Sequence, residues 1–154
     1  MRDPTVALER PDAETLAALN RLIERSLWTW ALSDRVKRAA LPGYQYGSED
    51  LADTAFLAAR DAGGAALGVA TLHALDGAPG ALMLHGLFVD PPARRRGIGA
   101  ALLAAAEAEA ARRGAGLLVV RAQRDAADFF RARGYRDDPA AAYPHTMTKA
   151  LGAD

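Results

Sequence analysis

In a chain of 154 residues, 19 lysines and arginines balance 19 aspartates and glutamates, so no charge excess favours a nucleic acid or an anionic membrane surface as partner. The absence of cysteine excludes disulfides, thiolate metal sites and a cysteine nucleophile. No apolar run approaches the ~20 residues of a membrane span, and the first residues lack the apolar stretch of a secretion signal. The expectation is a cytoplasmic globular protein with one core and no metal.

Thr5 to Arg10 alternates as a short strand. Pro11 and Asp12 open a helix in which Leu16, Leu19, Leu22 and Ile23 recur at helical spacing, with Asp12 as its N-cap. Ser33 caps a second helix that stops at Pro42-Gly43. Two strands joined by a turn at Asp61-Ala62-Gly63-Gly64 follow. After the breaker Asp76 to Gly80, Ala81 to Val89 is a long apolar strand of the kind covered on both faces.

A helix begins near Gly97. Ile98, Leu102, Ala105 and Ala106 share its packing face, Glu109 can pair with Arg113, and Arg112, Arg113 and Gly114 suit its end. Gly116 to Ala122 reads as another buried strand. Arg124 to Arg133 reads as a short helix closed by Gly134. Tyr143 to Leu151 reads as a final strand, with a short one before it near Tyr135. The order β-α-α-β-β-β-α-β-α-β, without repeats or linkers, predicts one mixed α/β domain over residues 1–154.

The stretch Val89 to Leu103, VDPPARRRGIGAALL, carries the chemistry. The first N–H groups of a helix lack internal partners, and the helix dipole makes that end attractive to anions. Gly97 and Gly99 remove the β-carbons that would block an approaching phosphate, and Arg94, Arg95 and Arg96 add positive charge. A dinucleotide fingerprint fails, because Leu102 stands where the third glycine belongs and the next strand ends in Val120-Arg121. A Walker loop would need Gly-Lys-Ser/Thr, which is missing. Two readings stay open: a tight strand-to-helix turn alone, or a site for some other diphosphate-bearing cofactor.

The spacing Val89-x-Pro91-x-x-Arg94-x-x-Gly97-Ile98-Gly99-x-x-Leu102-Leu103 resembles the acetyl-CoA-binding signature of the GNAT N-acetyltransferase superfamily, R/Q-x-x-G-x-G/A. Ala122 to Tyr135, AQRDAADFFRARGY, is similar to a second motif of that family, and Met147-Thr148-Lys149 to the M-x-K ending of its last strand. The motif-bearing part spans about residues 82–151. The resemblance implies the GNAT fold, a mixed and largely antiparallel sheet splayed in the middle and flanked by about four helices. It also implies acetyl-CoA as cosubstrate.

Its diphosphate would lie on Arg94, Arg95, Arg96, Gly97, Ile98, Gly99 and Ala100, and its pantetheine arm along Leu87, Phe88 and Val89, paired like an added strand. A bulge eased by Gly86 would free an N–H near Phe88 for the thioester carbonyl. Gln123 would bond the pantetheine amides or serve as a plain helix cap.

The implied reaction is direct attack of a primary amine on the thioester through a tetrahedral intermediate. An alkyl amine has a pKa of about 10.4, so a base must take its proton. His85, on the central strand, is the first candidate and His145 the second; His73 is read as an ordinary strand residue. Relatives often place an acidic tyrosine where this chain has Phe130, which cannot donate. Either the thiolate leaves unaided, or another hydroxyl substitutes, with Tyr143 as candidate, or the domain is an acyl-CoA-binding regulatory module with little transfer.

Trp28, Trp30, Tyr44 and Tyr46 either line an acceptor pocket or fill the core under the first helices. The acceptor is expected to be an amine-bearing small molecule or peptide, and a homodimer is compatible with the family.

Overall fold

The computed structural model describes residues 4–152; the ends of the expected 1–154 domain, residues 1–3 and 153–154, lie outside it. Strand β1 (Thr5–Glu9) leads to helices α1 (Ala13–Leu27) and α2 (Asp34–Ala40). Strands β2 (Thr54–Arg60), β3 (Ala66–Ala74) and β4 (Ala81–Val89) form a meander. Helix α3 (Ile98–Arg112) crosses to β5 (Leu117–Arg121), followed by α4 (Ala127–Arg131), β6 (Arg136–Asp137) and β7 (Thr146–Ala150). The seven strands form one sheet in the order β1-β2-β3-β4-β5-β7-β6. Only β4 and β5 run parallel, because α3 carries the chain back before β5 begins.

The helix ends follow from single residues. Asp12 Oδ1 accepts the Thr15 N–H at 2.8 Å, and Ser33 Oγ accepts the Val36 N–H at 3.3 Å, satisfying donors that the first turn leaves open. Gly97 precedes α3 in the left-handed conformation, φ 74°. Along α3, Ile98, Leu102, Leu103, Ala106 and Ala110 are buried, and Glu109 holds Arg113 at 2.6 Å.

Helices cover both faces of the sheet. On one, Leu57, Leu72, Leu84, Leu118 and Met147 pack with Leu102 of α3 and Phe130 of α4. On the other, Leu19, Leu22, Ile23 and Leu27 of α1 pack on Phe56, Val69 and Phe88. Each fully buried side chain of this kind contributes about 2 kcal/mol, so Leu22→Ala would cost about 2–5 kcal/mol once its cavity is included.

One expectation is corrected. The final strand starts at Thr146, not Tyr143. Pro144 has no N–H for a ladder and disfavours regular pairing around itself. His145 turns through φ 57° and Thr146 Oγ1 donates to the Tyr143 carbonyl at 2.8 Å. The expected bulge in β4 lies beside Gly86. Leu72 pairs with Leu84 and Thr71 with Gly86, so His85 is the extra residue. A β-carbon on Gly86 would stand 2.7 Å from the Phe88 ring and 3.2 Å from Thr71 Oγ1, which makes glycine a packing requirement at the bulge.

Candidate active site

The site begins where the sheet opens. The β4–β5 ladder runs from Ala81↔Leu117 to Leu84↔Val120 and stops there, although β4 continues to Val89. Beyond Leu84 the side of β4 turned from β3 has no strand partner, and two cavities occupy the gap. One, of about 510 Å³, is lined by Leu87, Val89, Arg94, Arg95, Gly97, Ile98, Gly99, Ala100, Phe129 and Arg133 among others. The second, of about 420 Å³, is lined by Trp30, Tyr44, His85, Phe88, Arg121 and Gln123 among others. They share Trp30, Leu87, Ala126 and Phe130 as walls, so one cleft joins the start of α3 to the bulge.

At the α3 end the backbone is bare. No side chain caps the helix, and its first ladder bond outside the cap runs from Ala101 N to Gly97 O at 3.0 Å. A β-carbon on Gly97 would meet nothing within 4 Å, whereas one on Gly99 would touch Phe129 at 3.6 Å and Val89 at 3.7 Å. Gly97 is therefore needed for its positive φ, and Gly99 keeps the first turn open. Arg94 donates to Thr29 Oγ1, joining the turn to the end of α1. Arg25 and Asp90 make a second tie, a two-pronged ion pair at 3.0 Å in each prong. Arg95 adopts φ 63°. Arg96 is exposed and is not among the side chains on the cavity wall.

These features suit a diphosphate: a 15-residue helix presenting uncapped amides, an open approach, and guanidinium groups beside it. The unpaired flank of β4 suits an extended amide chain.

At the other end His85 is held in a ring of aromatic side chains. Its Nδ1 lies 2.7 Å from the Tyr46 hydroxyl, which lies 2.8 Å from Thr71 Oγ1. Tyr44 stacks on the His85 ring at 5.0 Å, and Trp30 and Phe88 contact Tyr44 edge-on at 5.7 and 5.4 Å. Burial, then His73, then Arg121 push the His85 pKa below its ordinary 6.5, so the imidazole is neutral at neutral pH. Burial raises the phenol pKa of Tyr46, which keeps its hydroxyl protonated.

The expected site residues fall into two groups. His85, Leu87, Phe88, Val89, Arg94, Arg95, Gly97, Ile98, Gly99, Ala100, Gln123 and Phe130 line the cleft. Arg96, Tyr143 and His145 do not. Tyr143 is 57% exposed with its ring over the Arg121 guanidinium, 4.1 Å from centroid to Cζ, and His145 is exposed in the turn before β7. Gln123 precedes the Arg124–Ala126 turn and makes no side-chain cap bond there. Phe130 is 4% exposed, packed edge-on against Phe129 and Tyr135.

Of the aromatic residues near α1, Trp30 and Tyr44 face the cavity, Tyr46 is buried beneath it, and Trp28 is exposed beside Lys37. Sequence reasoning missed Thr71, Arg121 and Arg133. For Arg121 the signal was present: a guanidinium directly after the buried run Leu117 to Val120.

Among the described residues no helix is long and apolar enough to cross a membrane, and no three His, Cys, Asp or Glu side chains are grouped to hold a metal ion. The acetyltransferase (GNAT) family profile matches residues 19–135. The chain belongs to that family and is an acyltransferase. Members of the family use acetyl-CoA.

Solved structures agree on the fold. The chain is similar to a PaiA N-acetyltransferase from Thermoplasma acidophilum solved with coenzyme A (19% identity, 96% of this chain and 99% of that one, TM-score 0.78). It is similar to a GCN5-related N-acetyltransferase from Rhodopseudomonas palustris (25% identity, 98% of each chain, TM-score 0.73). An acetyltransferase of the GNAT family from Staphylococcus aureus aligns at 16% identity over 96% of this chain and 100% of that one, TM-score 0.71. No curated protein matches the sequence significantly.

Proposed function

We propose that the chain, acting as one domain in the cytoplasm, is an N-acetyltransferase that moves an acetyl group from acetyl-CoA to the primary amine of a small acceptor. The observation that carries this reading is the joining of two unlike ends by one cleft: uncapped helix amides with arginines at one, a neutral histidine with a hydrogen-bonded tyrosine at the other.

Acetyl-CoA supplies an acyl group activated as a thioester. Gly97, Ile98, Gly99 and Ala100 hold its diphosphate with their backbone, Arg94, Arg95 and Arg133 balance the charge, and the open flank of β4 from Leu87 to Val89 receives the amide arm. His85 is the base. For Nε2 to accept a proton, Nδ1–H donates to Tyr46 and the Tyr46 hydroxyl donates to Thr71. Among the described residues Nε2 has no hydrogen-bond partner of its own, which leaves it available to the amine.

The acceptor nitrogen adds to the acyl carbon to give the tetrahedral intermediate, and its collapse breaks the carbon–sulfur bond. The sulfur keeps the electron pair, and the surplus proton on nitrogen passes to His85. Phe130 cannot protonate the sulfur, so the thiolate leaves unaided, its intrinsic pKa being about 8.5.

Phe130 also supports a second reading, a regulatory module that binds acyl-CoA and transfers little. Calorimetry with acetyl-CoA, followed by release of CoA thiol across a panel of primary amines, separates the two. Binding with sustained thiol release is the expected result. Binding without release by any amine supports the module, and no binding overturns both.

A further inference from the structure

Arg121 narrows the choice of acceptor. It closes β5 one residue past the last β4–β5 register pair and lines the same cavity as His85. Arg25, Arg60, Arg112, Arg113 and Arg131 each hold a carboxylate. Among the described residues no carboxylate pairs with Arg121, and its guanidinium is braced instead from outside by the Tyr143 ring. Its charge is felt at the reacting end, where it contributes to holding the His85 pKa down. Arg124 and Asp125 are the other charged side chains on this wall, and His73 and Asp50 act on His85 from β3 and the Ser48–Ala52 turn.

A braced cation without a counterion beside the base disfavours an acceptor whose only charge is an ammonium group. A carboxylate next to the amine reverses that, because a guanidinium fork takes a carboxylate through two charge-assisted hydrogen bonds. Across the cavity Trp30, Tyr44 and Phe88 form an apolar wall. A volume of about 420 Å³ suits a small acceptor.

We propose that the acceptor is a free α-amino acid with an apolar or aromatic side chain, its carboxylate on Arg121, its amine at His85 and its side chain against Trp30 and Tyr44. This rests on the acetyl-transfer reading. A peptide N-terminus, whose neighbouring carboxylate has become an amide, lacks the group that Arg121 would hold.

The test uses the full chain with acetyl-CoA and compares phenylalanine, phenylalanine amide, phenethylamine and a Phe-Ala dipeptide by thiol release. Phenylalanine is expected to exceed the other three at least about tenfold in kcat/KM, and Arg121→Gln to bring the phenylalanine-to-phenethylamine ratio to about one through KM. Arg121→Lys should restore part of the ratio. A preference for phenethylamine or the dipeptide overturns the proposal, as does a loss in Arg121→Gln that is equal for all four.

If no acceptor turns over, calorimetry with N-acetylphenylalanine and N-acetylphenethylamine in the presence of CoA decides. Tighter binding of the carboxylate form supports the acceptor class even then, and equal binding overturns it. Acetyl-CoA binding, measured separately, reports on the parent reading alone.

Discussion

The Tyr46 hydroxyl sits 2.7 Å from His85 Nδ1, joining two residues 39 positions apart. Asn20 sets up this contact by gripping the tyrosine backbone from α1. Its side chain donates to the Tyr46 carbonyl at 2.8 Å and accepts from the Tyr46 N–H at 2.9 Å. Thr71, buried on β3, takes the remaining hydrogen bond of the phenol. The bulge on β4 turns His85 toward this pair, so helix, loop and two strands converge on one imidazole.

Tyr46→Phe keeps the ring packing on Phe56 and removes only the hydroxyl. It is expected to lower kcat about tenfold, a fraction of the ~10²–10⁴ that a placed base supplies, and to cost about 1 kcal/mol of stability. Acetyl-CoA affinity should not change. A kcat equal to that of the parent, with an unaltered pH profile, would remove Tyr46 from any positioning role.

In the proposed reaction His85 acts in its neutral form, and its pKa is held below 6.5. The rate is therefore expected to fall on acidification through that lowered pKa, and above neutral pH to rise further only as more of the acceptor amine loses its proton. Stability carries the same sign. The unfolded chain binds the proton more readily than the folded one between the two pKa values, so His85 adds stability as pH rises toward 6.5 and loses it as pH falls. His85→Ala should lower kcat about 100-fold and erase the acidic limb. A limb that survives the substitution assigns the base elsewhere.

Gly99→Glu and Gly97→Ala probe different properties of the same turn. A β-carbon at Gly99 makes only ordinary contacts, so the Gly99→Glu protein should fold while its carboxylate blocks the diphosphate; calorimetry should find no acetyl-CoA binding. Gly97→Ala meets open space but must hold φ 74°, at a cost of about 1–2 kcal/mol. Its melting temperature should fall. Undiminished acetyl-CoA affinity in Gly99→Glu would refute the placement of the diphosphate.

Phe130→Tyr tests whether the missing acid matters. The ring is buried and borders both halves of the cleft, and a general acid that was limiting would add ~10²-fold or more. Because the thiolate leaves unaided in the proposed reaction, kcat is expected to change by less than about threefold on the same scale. A hundredfold rise in steady-state turnover would show that sulfur protonation limits the natural chain.

Much of the fold was legible because its decisive signals are local. Asp12, Ser33 and Gly97 mark helix starts by chemistry that reaches no further than one turn, and each does so in the structure. The long apolar run at Ala81–Val89 announced a strand covered on both faces. The bulge beside Gly86 was legible only through the family resemblance. Its position is set by the close fit of Gly86 against Phe88 and Thr71, and that fit belongs to cross-strand packing. Tyr143 reads as part of a strand bordering the cleft by its neighbours' composition, but Pro144 interrupts the pairing and the strand starts only at Thr146. The hydrogen bond between Tyr46 and His85, and the lack of a carboxylate partner for Arg121 among the described residues, depend on contacts that no short window contains.

The parting of β4 from β5 after Leu84 has a mechanical consequence. Only four register pairs stitch the β1–β4 half of the sheet to the β5–β7–β6 half, which makes this seam a natural place for the unliganded molecule to breathe. A guest that wedges into the gap and bonds the exposed edge of β4 acts as a missing rung. Its occupancy should stiffen the whole sheet, slowing amide exchange along β5 and β7 as well as at the edge it touches.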